Sequence, residues 1–165
     1  MTYRWCFCLV ALAAACGGGR AAANPTVSPS AAPPSESASP ATIDSLWSHA
    51  EAAVRQGKWG DAEKLIERML LEVSPGDPRI PQAHYWLGEA YFARGRHLEA
   101  AREFRKASDE TPNHPLAPEA LVKLVQAYKT LGYREDVQET CDYIRRFHPK
   151  APGAREVCPT DSTGA

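Results

Sequence analysis

The chain repeats itself. Ala83, Leu87, Ala90, Tyr91, Gly95, Pro112 and Pro115 recur 37 positions later as Ala120, Leu124, Ala127, Tyr128, Gly132, Pro149 and Pro152, every one identical. Pro78 and Pro81 map in the same way onto Pro115 and Pro118. A fainter copy stands 38 residues upstream, where Gly57 and Ala62 match Gly95 and Ala100. A period of this length marks stacked supersecondary units. One such unit cannot bury its apolar face alone, so about three are needed for stability.

Each unit reads as two helices. In the middle unit, Ala83, Leu87, Ala90 and Tyr91 fall on a 3.6-residue period and predict a helix over Pro81 to Arg94. Proline near its start is tolerated, because the first-turn N–H groups have no intrahelical partner. Gly95 ends it by permitting a left-handed cap. A second helix follows over His97 to Asp109, with Ala100, Ala101, Phe104 and Ala107 on one face. The "TPNHP" stretch stops it, since proline keeps its predecessor out of helical dihedrals. The flanking pairs are expected at Ile43–Gln56 with Trp59–Glu72, and at Pro118–Leu131 with Arg134–Phe147. The predicted fold is therefore all-α, a solenoid of three units over about 42–76, 78–113 and 115–149. Residues 150–165 form a short segment that caps the last helix, and a tail.

The N-terminal quarter is of another kind. "MTYR" carries one positive charge, and "WCFCLVALAAA" leads into Cys16 as an apolar run of signal-peptide length. A short buried helix and ordinary signal-peptidase cleavage are the other readings of the same run. The "LAAAC" segment followed by "GGG" resembles the lipobox of bacterial lipoproteins, with Ala13 where that family prefers leucine. The resemblance implies a signal peptide over 1–15 and lipidation of Cys16, which would hold the chain to a membrane. Gly17 in place of aspartate is compatible with sorting to the outer membrane. A soluble periplasmic protein is the alternative. From 16 to 41 the chain is Gly, Ala, Ser, Pro and little else, too poor in apolar surface to offset the entropy of ordering. It reads as a disordered spacer.

Cysteine use follows from that compartment. Cys6 and Cys8 leave with the signal peptide, which leaves Cys141 and Cys158 in an oxidising space. They are either a disulfide or one buried and one exposed thiol. Net charge is −1 and no sustained basic face appears, so nothing argues for nucleic acid. The His residues at 49, 84, 97, 114 and 148 are scattered without metal-ligand spacing. No phosphate-binding glycine loop and no nucleophile elbow is present. No catalytic group, cofactor or metal is expected.

The middle unit resembles the tetratricopeptide repeat. Leu87, Gly88, Tyr91, Ala100, Phe104, Ala107 and Pro112 fit the pattern W-x2-L-G-x2-Y…A-x3-F…A…P, with His84 where tryptophan is common. The third unit keeps Leu124, Tyr128, Gly132 and Pro149 and departs at Val125, Val137 and Cys141. The first places Leu46, Ala50, Ala53, Gly57, Ala62, Ile66 and Met69 at the signature positions. The resemblance implies that Gly88 and Ala100 mark where the two helices of a unit cross. Within the family, the chain is most similar to bacterial envelope proteins, above all the YbgF/CpoB-like protein of the Tol–Pal system. That family carries an N-terminal coiled coil. No heptads stand in this chain, so the reading taken is a related envelope adaptor.

The family's concave groove carries over onto Trp47, Glu51 and Val54, then Tyr85, Glu89 and Phe92, then Val122, Gln126 and Lys129. The resemblance implies a protein or peptide partner held there, with the glutamates favouring basic or amide groups. A small ligand or glycan on Trp47, Tyr85 and Phe92 is the alternative occupant. Trp47 and Tyr85 also have a plainer reading, packing between adjacent first helices. Trp86 is expected to face the neighbouring unit's helix. Arg94, Arg96, Arg102, Arg105 and Lys106 are expected to form a solvated basic face.

Overall fold

A computed structural model describes residues 40–109 and 113–158. The leader, Cys16, the spacer up to residue 39 and the signature Pro112 lie outside these residues. Among the described residues every regular element is helical. They are α1 (Pro40–Arg55), α2 (Trp59–Glu72), α3 (Ile80–Ala93), α4 (His97–Asp109), α5 (Ala117–Leu131), α6 (Arg134–Phe147) and α7 (Ala154–Val157). Each of α1 to α5 packs on the next in sequence, and α7 packs back on α5. None of these helices is long and apolar enough to cross a membrane.

The helices start and stop for local reasons. Pro81 and Pro118 sit in the first turns of α3 and α5. α1 starts at Pro40, inside the stretch expected to be spacer. A proline suits a first helical position, where its fixed φ is already helical and no N–H is needed. The three turns between first and second helices are built alike. After α3, Gly95 adopts φ +75°. Its N–H bonds the Phe92 carbonyl at 3.0 Å and the Arg96 N–H bonds the Tyr91 carbonyl at 2.9 Å. This is a Schellman closure, which satisfies carbonyls that the helix end leaves open. After α5, Gly132 repeats it, with the Tyr133 N–H on the Tyr128 carbonyl at 3.0 Å. The Gly57 turn repeats it again, with the Lys58 N–H on the Ala53 carbonyl at 2.9 Å.

Within the middle unit, Gly88 of α3 faces the ring of Phe104 on α4. A Cβ on Gly88 would stand 2.6 Å from the Phe104 Cε1 atom. Phe104 is fully buried and has no room to swing away. The equivalent pair in the first unit is Ala50 and Ile66, and in the third Val125 and Cys141, all buried. As the first-helix residue grows from Gly to Ala to Val, the second-helix residue shrinks from Phe to Ile to Cys. Two of the third unit's departures from the repeat signature, Val125 and Cys141, are thus one compensated exchange of side-chain bulk. Such an exchange is the kind of change a packed core tolerates.

The C-terminal segment closes the stack. Gly153, at φ +75°, lies against Val122 of α5, and a Cβ there would meet the Val122 Cγ1 atom at 3.5 Å. Val157 of α7 is buried. Cys141 of α6 is joined to Cys158 in a disulfide, with the Cα atoms 5.5 Å apart. A closed loop of this length contributes about 3 kcal/mol by loop-closure entropy.

Gly88→Ala is expected to lower stability by about 1–2 kcal/mol. The 2.6 Å overlap with the buried Phe104 ring falls in the upper part of the overpacking range, about 2–3 kcal/mol, and the better helix propensity of alanine returns about 1 kcal/mol. Urea unfolding checks this. A variant as stable as the wild type would show that Phe104 does not fix the crossing.

Candidate functional site

The first helices α1, α3 and α5 carry the positions singled out for partner binding. Trp47, Tyr85 and Val122 are equivalent residues of successive units, and each packs towards the unit that follows. The Trp47 ring stacks on Trp86 of α3, centroids 4.5 Å apart. The Tyr85 hydroxyl donates to the Glu119 carboxylate of α5 at 2.7 Å, and its ring lies 5.8 Å from that of Phe104. Burial, with Glu119 and Glu89 added, pushes the Tyr85 phenol well above its ordinary range, so it remains a donor at any working pH. Val122 meets the C-terminal cap at Gly153. The plainer reading of Trp47 and Tyr85 is therefore the geometry observed, and Trp86 faces its neighbour as expected. Val122 is corrected. It is only 4% exposed, because the cap occupies the place of a following first helix, and it offers no surface to a partner.

The second row is charged and largely satisfied. Glu51 pairs with Arg55 of its own helix at 2.9 Å. Glu89 pairs across the unit boundary with Lys123 of α5 at 3.0 Å. The expected preference of Glu89 for basic groups is thus met from within the chain. Gln126 is half-buried, and its backbone carbonyl accepts from the Thr130 hydroxyl at 3.0 Å. In the third row Val54 is half-buried and Lys129 exposed. Phe92 sets its ring edge-on to His97, centroids 4.9 Å apart, and stays half-exposed. Half-exposed aromatics therefore remain on this face at Trp47, Trp86, Tyr85 and Phe92, beside carboxylates already held by bases.

The expected basic face is not one surface. Arg94 and Arg96 both reach Glu63 of α2, Arg96 at 2.6 Å, and Arg96 also pairs with Glu99 at 3.0 Å. The Arg96 guanidinium stands 4.3 Å over the Tyr91 ring. Lys106 pairs with Glu103 at 2.9 Å, and Arg105 donates to the Tyr128 hydroxyl.

One polar cluster had not been expected. His84, standing at the tryptophan position of the repeat, is buried and places its Nδ1 2.7 Å from the Glu103 carboxylate of α4. Lys106 reaches the other oxygen of Glu103 at 2.9 Å. A buried acid needs such partners. The signal in the sequence was the pair of oddities, a histidine in a tryptophan place and an acid on the inward face of α4. Among the described residues no three metal-ligating side chains converge. What the arrangement offers is apolar and hydrogen-bonding surface.

A family model described as tetratricopeptide repeat matches residues 48–115, from within α1 to the approach to α5. With the helical pairs and repeated turns above, that defines the fold as an α-solenoid of tetratricopeptide units. No curated protein matches the chain. Tetratricopeptide units mediate protein–protein contact, so an interaction role is the functional class the fold supports.

Burial raises the Glu103 carboxyl, but the hydrogen bonds from His84 and Lys106 outweigh it and hold the group below its ordinary value of 4.5. Its stabilisation is accordingly complete above about pH 4.5 and is lost as pH falls through the lower folded value. Glu103→Gln should melt below the wild type at neutral pH, and the gap should close in acid. Thermal midpoints measured from about pH 7 to pH 3 test this, and a gap that does not change with pH counts against it.

Proposed function

We propose that the chain is a non-catalytic adaptor of the bacterial envelope, exported and held by lipid on Cys16 at the periplasmic side of the outer membrane. Its face of first helices holds a segment of a partner protein, in a setting of outer-membrane or cell-division maintenance like that of the Tol–Pal system. The observation that carries the binding reading is the aromatic row of Trp47, Trp86, Tyr85 and Phe92, which stays half-exposed although the first three also pack across unit boundaries. Rigid aromatic anchors of this kind supply contact area at low conformational cost. The anchor rests on the "LAAAC" segment and the Gly-, Ser- and Pro-rich stretch after it. A bound glycan is the second reading, favoured by the stacked indoles of Trp47 and Trp86, whose exposed sides suit a sugar ring.

A photo-reactive residue placed at 89 or 92 in living cells should form adducts with a discrete envelope protein. The same residue at 139, on the outside of α6, should not. Adducts at all three positions, or at none, refute a partner on the first-helix face. Adducts with cell-wall material alone favour the glycan. Labelled palmitate should enter the wild-type chain and be absent from Cys16→Ser, and label retained in that variant would remove the lipid anchor.

A further inference from the structure

The boundaries between successive units are built from equivalent positions, and their charge differs where the second helix of one unit meets the end of the next unit's first helix. Between the first and second units, α2 presents two carboxylates to the end of α3. Glu67 accepts from the Tyr91 hydroxyl at 2.6 Å, and Glu63 takes Arg94 and Arg96. The edge there is closed by charge. Between the second and third units the equivalent residues are Ala101 for Glu63, Arg105 for Glu67, Leu131 for Arg94, Tyr133 for Arg96 and Tyr128 for Tyr91. Both carboxylates are gone, and one has become an arginine.

A notch of about 240 Å³ stands at that place, lined by Arg102, Arg105, Tyr128 and Tyr133 and by one acid, Asp136, against the two arginines. Its donors are only partly spent. Arg105 gives one N–H to the Tyr128 oxygen and lies 5.7 Å from that ring, but its nearest acid, Asp136, is 3.9 Å away and too far for a hydrogen bond. Because the Tyr128 oxygen is the acceptor in this contact, its own proton has no acceptor among the described residues. Arg102 is exposed and makes no hydrogen bond or ion pair among them. Its charge reaches Glu99, which is already paired with Arg96. Tyr133 and Leu98 add exposed apolar surface at the rim.

The geometry points to this notch as a second docking surface, apart from the first-helix face, that takes an acidic stretch of a partner protein. A partner carboxylate would stand where Glu63 and Glu67 stand at the first boundary, accepting from the Tyr128 O–H and from the forks of Arg105 and Arg102. Carboxylate is the chemistry assigned because the chain itself fills the equivalent place with carboxylates. Charge-assisted bonds to arginine forks are also the stronger class of hydrogen bond.

The test uses the detergent-solubilised full chain and a labelled, end-blocked peptide, Glu-Glu-Leu-Glu-Glu, followed by fluorescence anisotropy. The expected result is saturable binding that weakens with salt and is absent for the Gln-Gln-Leu-Gln-Gln peptide. Arg105→Glu, which restores the carboxylate of the first boundary, should weaken binding by about tenfold or more. Arg102→Gln should weaken it by several fold, and Phe92→Ala on the first-helix face should leave it unchanged. If Arg105→Glu lowers the melting temperature, Arg102→Gln decides, because that side chain makes no hydrogen bond or ion pair among the described residues. The proposal is overturned by peptide binding that ignores both arginine variants, by equal binding of the glutamine peptide, or by no binding at millimolar concentration. It is also overturned if vesicles of phosphatidylglycerol bind at the arginines and the peptide does not. Loss of binding in Phe92→Ala alone would place the acidic ligand on the first-helix face instead.

Discussion

Phe104 sits over Gly88, and much of the molecule depends on that approach. The pair sets how α3 and α4 cross, and the middle unit they form has another unit packed on each side. α2 packs on α3 and α5 packs on α4, so an error in the central crossing would be passed to both boundaries. The ring also touches Tyr85, which ties the crossing to a residue of the first-helix face. The outer units solve the same problem with other volumes, Ala50 with Ile66 and Val125 with Cys141. The third solution leaves a thiol on α6 at the core, and that thiol is the one bonded to the cap.

The cap shows how the stack ends. A repeating fold has an open face at its last unit, where a further first helix would go. Here a single turn, α7, takes that place over α5 and is tied down through Cys158. Val122 is buried, with Gly153 of the cap lying against it. Its equivalents Trp47 and Tyr85 meet whole helices, whereas Val122 meets a glycine turn, and a smaller side chain fits the smaller cover.

Much was legible in the residues because it is decided locally. The repeat and its helical period gave six helices, three of them (α1, α3 and α5) with one or both ends shifted by one to three residues and the other three, α2, α4 and α6, as observed. The glycine turns were legible because a left-handed cap needs a residue without a Cβ. The site was legible only in part. That Trp47, Tyr85 and Val122 lie on first helices follows from spacing. That each faces the next unit depends on a contact across about 35 residues of chain, which spacing does not report. The pairing of Glu89 with Lys123 was hidden for the same reason. The arginines read as one solvated face because they are close in sequence, but Arg94, Arg96 and Arg105 bond to acids and a tyrosine on different helices, and Arg102 alone of the four stays unbonded among the described residues.

By itself the sequence determined that the chain is all-α, that its unit is a helix pair of about 37 residues, and where the turns fall. These follow from periodicity and from the dihedral limits of proline and glycine, which act within a few residues. It also marked Cys141 and Cys158 as able to pair, without deciding it. Only the tertiary structure decided which aromatic side chains are spent between units and which stay half-exposed. It alone decided that His84 and Glu103 meet, that the cap covers Val122, and that one unit boundary is closed by carboxylates while the next is open. Those outcomes depend on which side chains reach each other across separate helices, and distance in space between such residues is not a property of local sequence.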